Sequence, residues 1–267
     1  MKIVTFHSGL GNQVFFYLFC NYLKAQFPNE KIYGYYNKKF LQKHNGLEIH
    51  RVFDIDIPPS TFWSNFVAWW CRLMNSAGIK GYRINDKNYS PKGILFDGYW
   101  QDKKYFLDNV SKLNYRNFEL DDTNKQLLRE MESSDSVCIH IRRGDYLAPE
   151  HVGQYGGICT PVYYRKAIDI VLNEFTSPRF FVFSNDIEWV KENMDIPSPT
   201  FVSNNTGARS FLDMFLMSNC KGAILANSSF SYWAAQLNKY TDKVIVYPSK
   251  WFNHKVVDIF PDEWIGI

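Results

Sequence analysis

The chain opens on KIVTF, an apolar run, and passes at once into HSGLGNQ. Apolar residues then recur at Val14, Phe15, Leu18, Phe19, Tyr22 and Leu23, a helical spacing that predicts a strand, a glycine turn and a helix. The same alternation returns from SVCIHI at 136–141, through a helix after Pro161, to RFFVF, FLDMFLMSNC, GAILAN, SFSYWAAQL and KVIVY. Apolar runs of strand length separated by helical patterns predict an α/β fold with a parallel, doubly wound sheet. DDTNKQLLREMESS, residues 121–134, reads as a polar helix joining two halves, so the expected domains are 1–130 and 131–267.

Two segments break the pattern. VFFYLFCNYL, 14–23, is half the length a bilayer requires and is interrupted by Asn21, so it reads as a core helix. STFWSNFVAWWCRLMNSA, 60–77, is strongly aromatic. The preferred reading packs it in the core; the alternative is a surface that meets a membrane or a lipid-linked substrate.

Composition narrows the class. With 46% apolar residues the 267-residue chain can build a sizeable core, and 30 Lys and Arg against 27 acidic residues is too even a balance for nucleic-acid binding. A small anionic ligand fits better. Cysteines 20, 71, 138, 159 and 220 are scattered and form no CxxC pair, which predicts buried free thiols in a reducing compartment and no zinc. The polar breaks from His7 to Gln13 do not suit a secretory leader, and the expectation is a cytoplasmic protein.

Candidate chemistry concentrates in CIHIRRGDYL, 138–147. Two arginines at the mouth of a buried strand resist burial unless an anion offsets them. Strand alternation places His140 and Arg142 on one face and turns Arg143 away, toward an acid such as Asp145. ANSSFSYW, 226–233, offers hydroxyls and backbone N–H groups at a helix start, where a phosphate would be favoured. Asn12 and Gln13 present amides at the first helix start. Asp213, on an otherwise apolar helix, requires a donor: guanine, an arginine or a backbone group. Asp54 and Asp56 form the one acidic pair resembling a metal site, but they lie far from the other motifs, and no metal is expected. HExxH, Walker and GxSxG motifs are absent from the sequence.

Together, GLGNQVFFYLF, GYWQDKKYF at 98–106, HIRRGDY at 140–146, FSNDIEWVKEN at 183–193, DMFLMSNCKGAILANSSFSYWAAQLN at 213–238 and PSKWF at 248–252 resemble glycosyltransferase family 11, the α-1,2-fucosyltransferases, in compact bacterial form. The resemblance implies a GT-B-like fold of two Rossmann-like domains facing a cleft, with 1–130 on the acceptor side and 131–267 binding the donor. It implies GDP-fucose as donor, no cofactor, no metal, and inverting transfer to the 2-hydroxyl of a β-galactoside, which bacterial members commonly carry in O-antigen repeats. The implied donor-binding residues are His140 and Arg142 on the nucleotide and diphosphate, Asp213 on guanine, and Ser228, Ser229 and Phe230 as phosphate cradle. Asn12, Gln13, Ser184, Asp186 and Asn227 complete that set. The implied catalytic set is Arg142, Arg143, Asp145 and Glu150, with Glu150 ten residues after His140 as base and Asp145 and His7 as competitors. Work at the inner face of the plasma membrane, with a lipid-linked acceptor, is compatible with this reading. The alternative is a nucleotide-sugar or glycan-binding module without turnover.

Overall fold

The computed structural model describes residues 1–267. It divides into two units, Met1–Arg116 and Asn117–Ile267.

In the first unit, β1 (Lys2–Phe6) leads into α1 (Leu10–Gln26) and β2 (Ile32–Tyr36). The short helices α2 (Lys38–Leu41) and α3 (Ile49–Val52) follow, then α4 (Phe62–Ser76), β3 (Arg83–Ile84) and β4 (Leu95–Phe96). The four strands form a parallel sheet in the order β2-β1-β4-β3. Helix α1 buries Phe16, Phe19, Cys20 and Leu23 on one face of it, where the Trp100 ring stacks on Phe19 at 4.0 Å.

Helix α4 covers the other face, and here the preferred expectation fails. It buries only Ser64, Ala68 and Cys71, and leaves Phe62, Trp63, Phe66, Trp69 and Leu73 exposed. Its small residues face the sheet because close approach to β2 leaves little room, so the large aromatics are turned outward.

The second unit runs α5 (Asp122–Glu132), β5 (Asp135–Ile141), α6 (Pro149–Tyr155), α7 (Pro161–Glu174), β6 (Pro178–Ser184), α8 (Ile187–Asn193), β7 (Thr200–Val202), α9 (Phe211–Met217), β8 (Gly222–Ile224), α10 (Ser229–Gln236), β9 (Val244–Tyr247) and β10 (Ile265–Gly266). Its six-stranded sheet has the order β10-β9-β8-β5-β6-β7, and every pair is parallel. The chain winds outward from β5 through β6 and β7, then returns to β5's other edge with β8 and winds the opposite way. That is the strand order of a dinucleotide-binding sheet.

The division lies at Arg116/Asn117 rather than at 130/131. Helix α5, expected as a joint between halves, belongs to the second unit. Phe118 packs edge-on against Phe211 and Phe215, and the Asn124 side chain donates to Asn205 Oδ1 at 2.9 Å.

Gln13 holds the first glycine turn from inside. Its Nε2 donates to the Ser8 and Gly46 carbonyls, at 3.0 and 2.9 Å, and its Oε1 accepts from the Glu48 and Ile49 amides, at 2.8 and 3.2 Å. Every hydrogen-bonding position of the amide is thereby engaged within the chain. Replacement by leucine strands these groups in a fully buried place and should cost about 2 to 4 kcal/mol. A urea melt followed by tryptophan fluorescence measures it; an unchanged midpoint would show that the amide holds nothing.

Candidate functional site

A doubly wound sheet leaves a crevice at the carboxyl ends of the strands where the winding reverses. In the second unit that place lies between β5 and β8. The segments that emerge there are Arg142–Leu147 and Leu225–Ser229, the two runs in which the sequence concentrated its candidates.

Three tyrosines fix these strand ends. Tyr146 Oη donates to the Asn227 carbonyl at 3.1 Å, Tyr163 Oη to the Leu225 carbonyl at 2.6 Å, and Tyr164 Oη to the His140 carbonyl at 3.0 Å. Tyr146 also stacks on Tyr155 of α6 at 4.6 Å. The sequence reading missed this trio. YY at 163–164 sits on the buried side of α7, and a buried phenol needs a hydrogen-bond partner, which was the available signal.

The arginines, both just past the end of β5, take different partners, with a different choice of acids from that expected. Arg143 Nε bonds Asp186 Oδ2 at 3.1 Å, and its guanidinium lies 3.4 Å from the Trp189 ring centre. Its backbone N–H donates to Asn185 Oδ1 at 3.0 Å. Asp145, expected to pair with Arg143, instead holds Arg142 through Nε at 2.9 Å. The reason is local: Gly144–Leu147 forms a single 3-10 turn, which brings residue 145 back beneath 142. The Arg142 side chain keeps 32% of its surface accessible beside the Tyr146 ring.

His140 is buried, its ring 6.0 Å from that of Phe230 at the start of α10. Burial, with a smaller contribution from the Arg142 charge, pushes its pKa down to about 3, so the imidazole is neutral at working pH. Nδ1 has no partner within the chain. A neutral ring of this kind is unsuited to proton transfer near pH 7 and suited to a fixed hydrogen bond.

Ser228 caps α10, its Oγ accepting from the Phe230 N–H at 3.4 Å, while Ser229 and Phe230 stand half-exposed on the first turn. Asn227 is committed inward: its Nδ2 donates to the Trp251 and Tyr155 carbonyls, at 3.2 and 3.4 Å, and Cys159 Sγ donates to its Oδ1 at 3.4 Å. Ser184 is likewise engaged, accepting from the Asp186 N–H at 3.0 Å, and Asp186 holds Arg143. Asn227, Ser184 and Asp186 shape the loops around the crevice instead of facing into it.

Asp213 sits apart, on α9 beyond the end of β7. Asn205 Nδ2 donates to its Oδ1 at 2.8 Å, and Asn205 in turn exchanges hydrogen bonds with Asn124, 2.9 Å each way. Burial raises the Asp213 pKa to about 7 against the opposing effect of Asn205. Glu150 is exposed on the first turn of α6.

In the first unit the corresponding place lies at the ends of β1 and β4. His7 Nδ1 lies 2.8 Å from Ser8 Oγ, its ring packs on Phe16 and Tyr99, and burial holds its pKa below the ordinary value. Ser8 itself takes a left-handed backbone, φ 62°, uncommon without glycine. Asn12 Oδ1 accepts from Gln101 Nε2 at 3.1 Å, and Asp97 gathers Arg72 and Arg83 at 3.3 and 3.0 Å. Asp54 and Asp56 are both exposed on the 53–57 segment of this unit.

The family model for glycosyl transferase family 11 matches residues 60–267. An alpha-1,2-colitosyltransferase of Escherichia coli is 32% identical, aligned over 97% of this chain and 96% of its own length. The O-antigen biosynthesis glycosyltransferase WbnK of Escherichia coli is 38% identical over 51% of this chain and 46% of its own. The human galactoside alpha-(1,2)-fucosyltransferase 1 is 32% identical over 49% of this chain and 38% of its own. Among solved structures, a family 9 glycosyl transferase from Veillonella parvula aligns with all of this chain and 85% of that one, at 12% identity and a TM-score of 0.47. With a family model matched over most of its residues and a relative aligned nearly end to end, the chain belongs to glycosyl transferase family 11.

Proposed function

We propose that the protein is an inverting α-1,2-glycosyltransferase that moves L-fucose from GDP-fucose to the 2-hydroxyl of a β-galactoside. The observation that carries the reading is the crevice between β5 and β8, where a half-exposed Arg142 and the capped start of α10 supply positive potential beside a neutral His140. That combination suits a diphosphate leaving group. As the bond to the sugar breaks, GDP gains charge, and a fixed guanidinium with a helix N-terminus stabilises the departing oxygens more than it stabilises the ground state. Asp213 is held by Asn205, three residues past the end of β7, the strand two places from β5 in the sheet. A nucleotide laid over the strand ends would reach it with its base.

Among the candidate bases in the second unit, Asp145 is already ion-paired to Arg142, whereas Glu150 is an exposed carboxylate in the adjoining helix. We assign proton removal from the acceptor to Glu150 and orientation of Arg142 to Asp145. Glu150→Gln should lower kcat by roughly 100-fold or more while leaving the donor KM nearly unchanged. Full turnover in that variant would move the base elsewhere.

The closest competing donor chemistry is colitose, the sugar in the name of the aligned Escherichia coli relative, which lacks the 3-hydroxyl of fucose. Release of GDP from GDP-fucose and from GDP-colitose, each with β-galactoside disaccharides, tests the assignment. Faster turnover with GDP-fucose is expected. A preference for GDP-colitose would correct the sugar, and no release from either donor on any galactoside would favour the binding module.

Arg142 and Arg143 should respond oppositely to lysine. Arg142→Lys keeps the charge and loses the planar fork, so kcat should fall roughly 100-fold to 1000-fold with a modest change in GDP affinity. Arg143→Lys loses the Trp189 stack and the Asp186 bond, so melting temperature should fall further than kcat. Steady-state kinetics with donor in excess and a thermal melt of each variant separate the two outcomes; near-normal turnover of Arg142→Lys sinks the assignment.

Asp213 predicts a pH dependence. Its folded-state pKa, about 7, lies above the ordinary 3.8, so ionising it opposes folding as pH rises through that interval. Guanine offers two N–H donors, and accepting both requires the carboxylate. Affinity for GDP should therefore rise from about pH 6 to about pH 8, and Asp213→Asn should flatten the curve. Calorimetric titration of GDP across this range checks it; an equal slope in the variant would remove Asp213 from the base pocket.

A further inference from the structure

Helix α4 is an amphipathic element whose apolar face is turned to solvent. Phe62, Trp63, Phe66, Trp69 and Leu73 expose 87, 63, 43, 56 and 46% of their surface, and Ile79, in the loop that follows, exposes 49%. The rings are in mutual contact along the helix, Trp63 to Phe66 at 5.6 Å and Phe66 to Trp69 at 5.8 Å, so the face is one strip and not isolated side chains.

The strip is rigidly presented. A capping box between Thr61 and Ser64 fixes the helix start, Trp70 packs on Tyr82, and the Arg72 guanidinium lies over the Tyr35 ring at 4.2 Å while bonding Thr5 and Asp97. The helix is thus bound flat on its sheet with its aromatic side outward. At 15 residues it is about 22 Å long, too short to cross a bilayer and suited to lying along one.

Charge selects the occupant. Between Asp56 and Asp86 the sequence has no acidic residue and three basic ones, Arg72, Lys80 and Arg83. Arg72 and Arg83 share the single carboxylate of Asp97, and Lys80 is exposed beside Ile79. The margin at the C-terminal end of the strip is therefore net positive, while exposed Asp54 and Asp56 precede its other end. An anionic headgroup layer neutralises that margin. Indole rings at the edge of an apolar strip favour the boundary between headgroups and acyl chains.

We propose that the outward face of α4 docks the protein on an anionic phospholipid bilayer, with Trp63, Phe66 and Trp69 entering the interface and Lys80 meeting headgroup phosphates. The docking requires no assumption about donor or acceptor, and its test reads binding instead of turnover, so a failure of the fucosyl reading leaves it standing.

The full chain is sedimented with vesicles of phosphatidylethanolamine and phosphatidylglycerol, and in parallel with vesicles of phosphatidylcholine alone. Wild type should bind the anionic vesicles and bind the uncharged ones much more weakly. W63S/F66S/W69S should lower the partition coefficient by about 100-fold or more, since each buried aromatic contributes roughly a factor of ten. Lys80→Glu should weaken anionic binding and leave binding to phosphatidylcholine unchanged; as a single exposed change it decides the matter if the triple variant melts early. Three results overturn the proposal: wild type remaining in the supernatant with anionic vesicles, the triple variant binding as wild type does, or a wild-type dimer in analytical ultracentrifugation that the triple variant dissolves while neither protein binds vesicles.

Discussion

Two guanidiniums on consecutive residues at the end of a buried strand cannot occupy the same space, and the second unit is organised around keeping them apart. They lie just past the end of β5 and turn to different acids. Arg143 then finds Asp186 on its Nε and the Trp189 ring beneath its plane. Arg142 receives only the half-exposed Asp145, and a third of its own surface remains open. Each arginine is held through its Nε; Arg143 has an aromatic ring beneath it as well, and Arg142 is the more open of the two. On the proposed reading, that difference leaves Arg142 as the guanidinium more open to an anionic ligand.

Holding Arg142 in this way would be of little use if the strand ends moved. The tyrosines prevent that from below. Tyr164 ties the backbone of β5 at His140, Tyr163 ties the backbone beyond β8 at Leu225, and Tyr146 bridges from the arginine turn to Asn227. The first two donate from adjacent positions on one helix, so α7 acts as a brace beneath both sides of the crevice. Since Tyr146 carries a hydroxyl bond to Asn227 and a ring stack on Tyr155, the Arg142 turn, α6 and the start of α10 form one continuous assembly. A guanidinium held without need of reorganisation is what electrostatic catalysis requires.

Much of this was legible in the sequence, for identifiable reasons. The parallel sheet follows from apolar strand runs alternating with helical spacing. What escaped was non-local. Nothing near Arg143 announces that its acid lies at 186, on a neighbouring strand's loop, instead of at 145. Gln13 looked like a ligand amide because it follows a glycine turn; only the chain returning at 46–49 shows that all its hydrogen-bonding positions are taken. The aromatic run at 60–77 misled for a related reason. Composition reports that a helix is apolar, but which side faces the sheet is decided by how closely it must approach, and here Ser64, Ala68 and Cys71 win that side because they are small.

Asp213 shows why the placement of α5 matters beyond bookkeeping. Its carboxyl is held by Asn205, whose amide is held by Asn124, and the helix carrying Asn124 begins with Asp121 accepting the Asn124 N–H at 2.9 Å. Asp121 also meets Arg209, two residues before α9, at 2.6 Å. The chain of contacts closes from α5 to the 204–209 loop to α9 and back. A buried carboxyl poised near neutrality is sensitive to small changes in its donors, because each hydrogen bond to the ionised form shifts the balance toward charge. Helix α5 is therefore part of the apparatus that sets the charge of Asp213. A segment that reads as a polar joint in the sequence becomes, once folded, the support behind the group assigned to the nucleotide base.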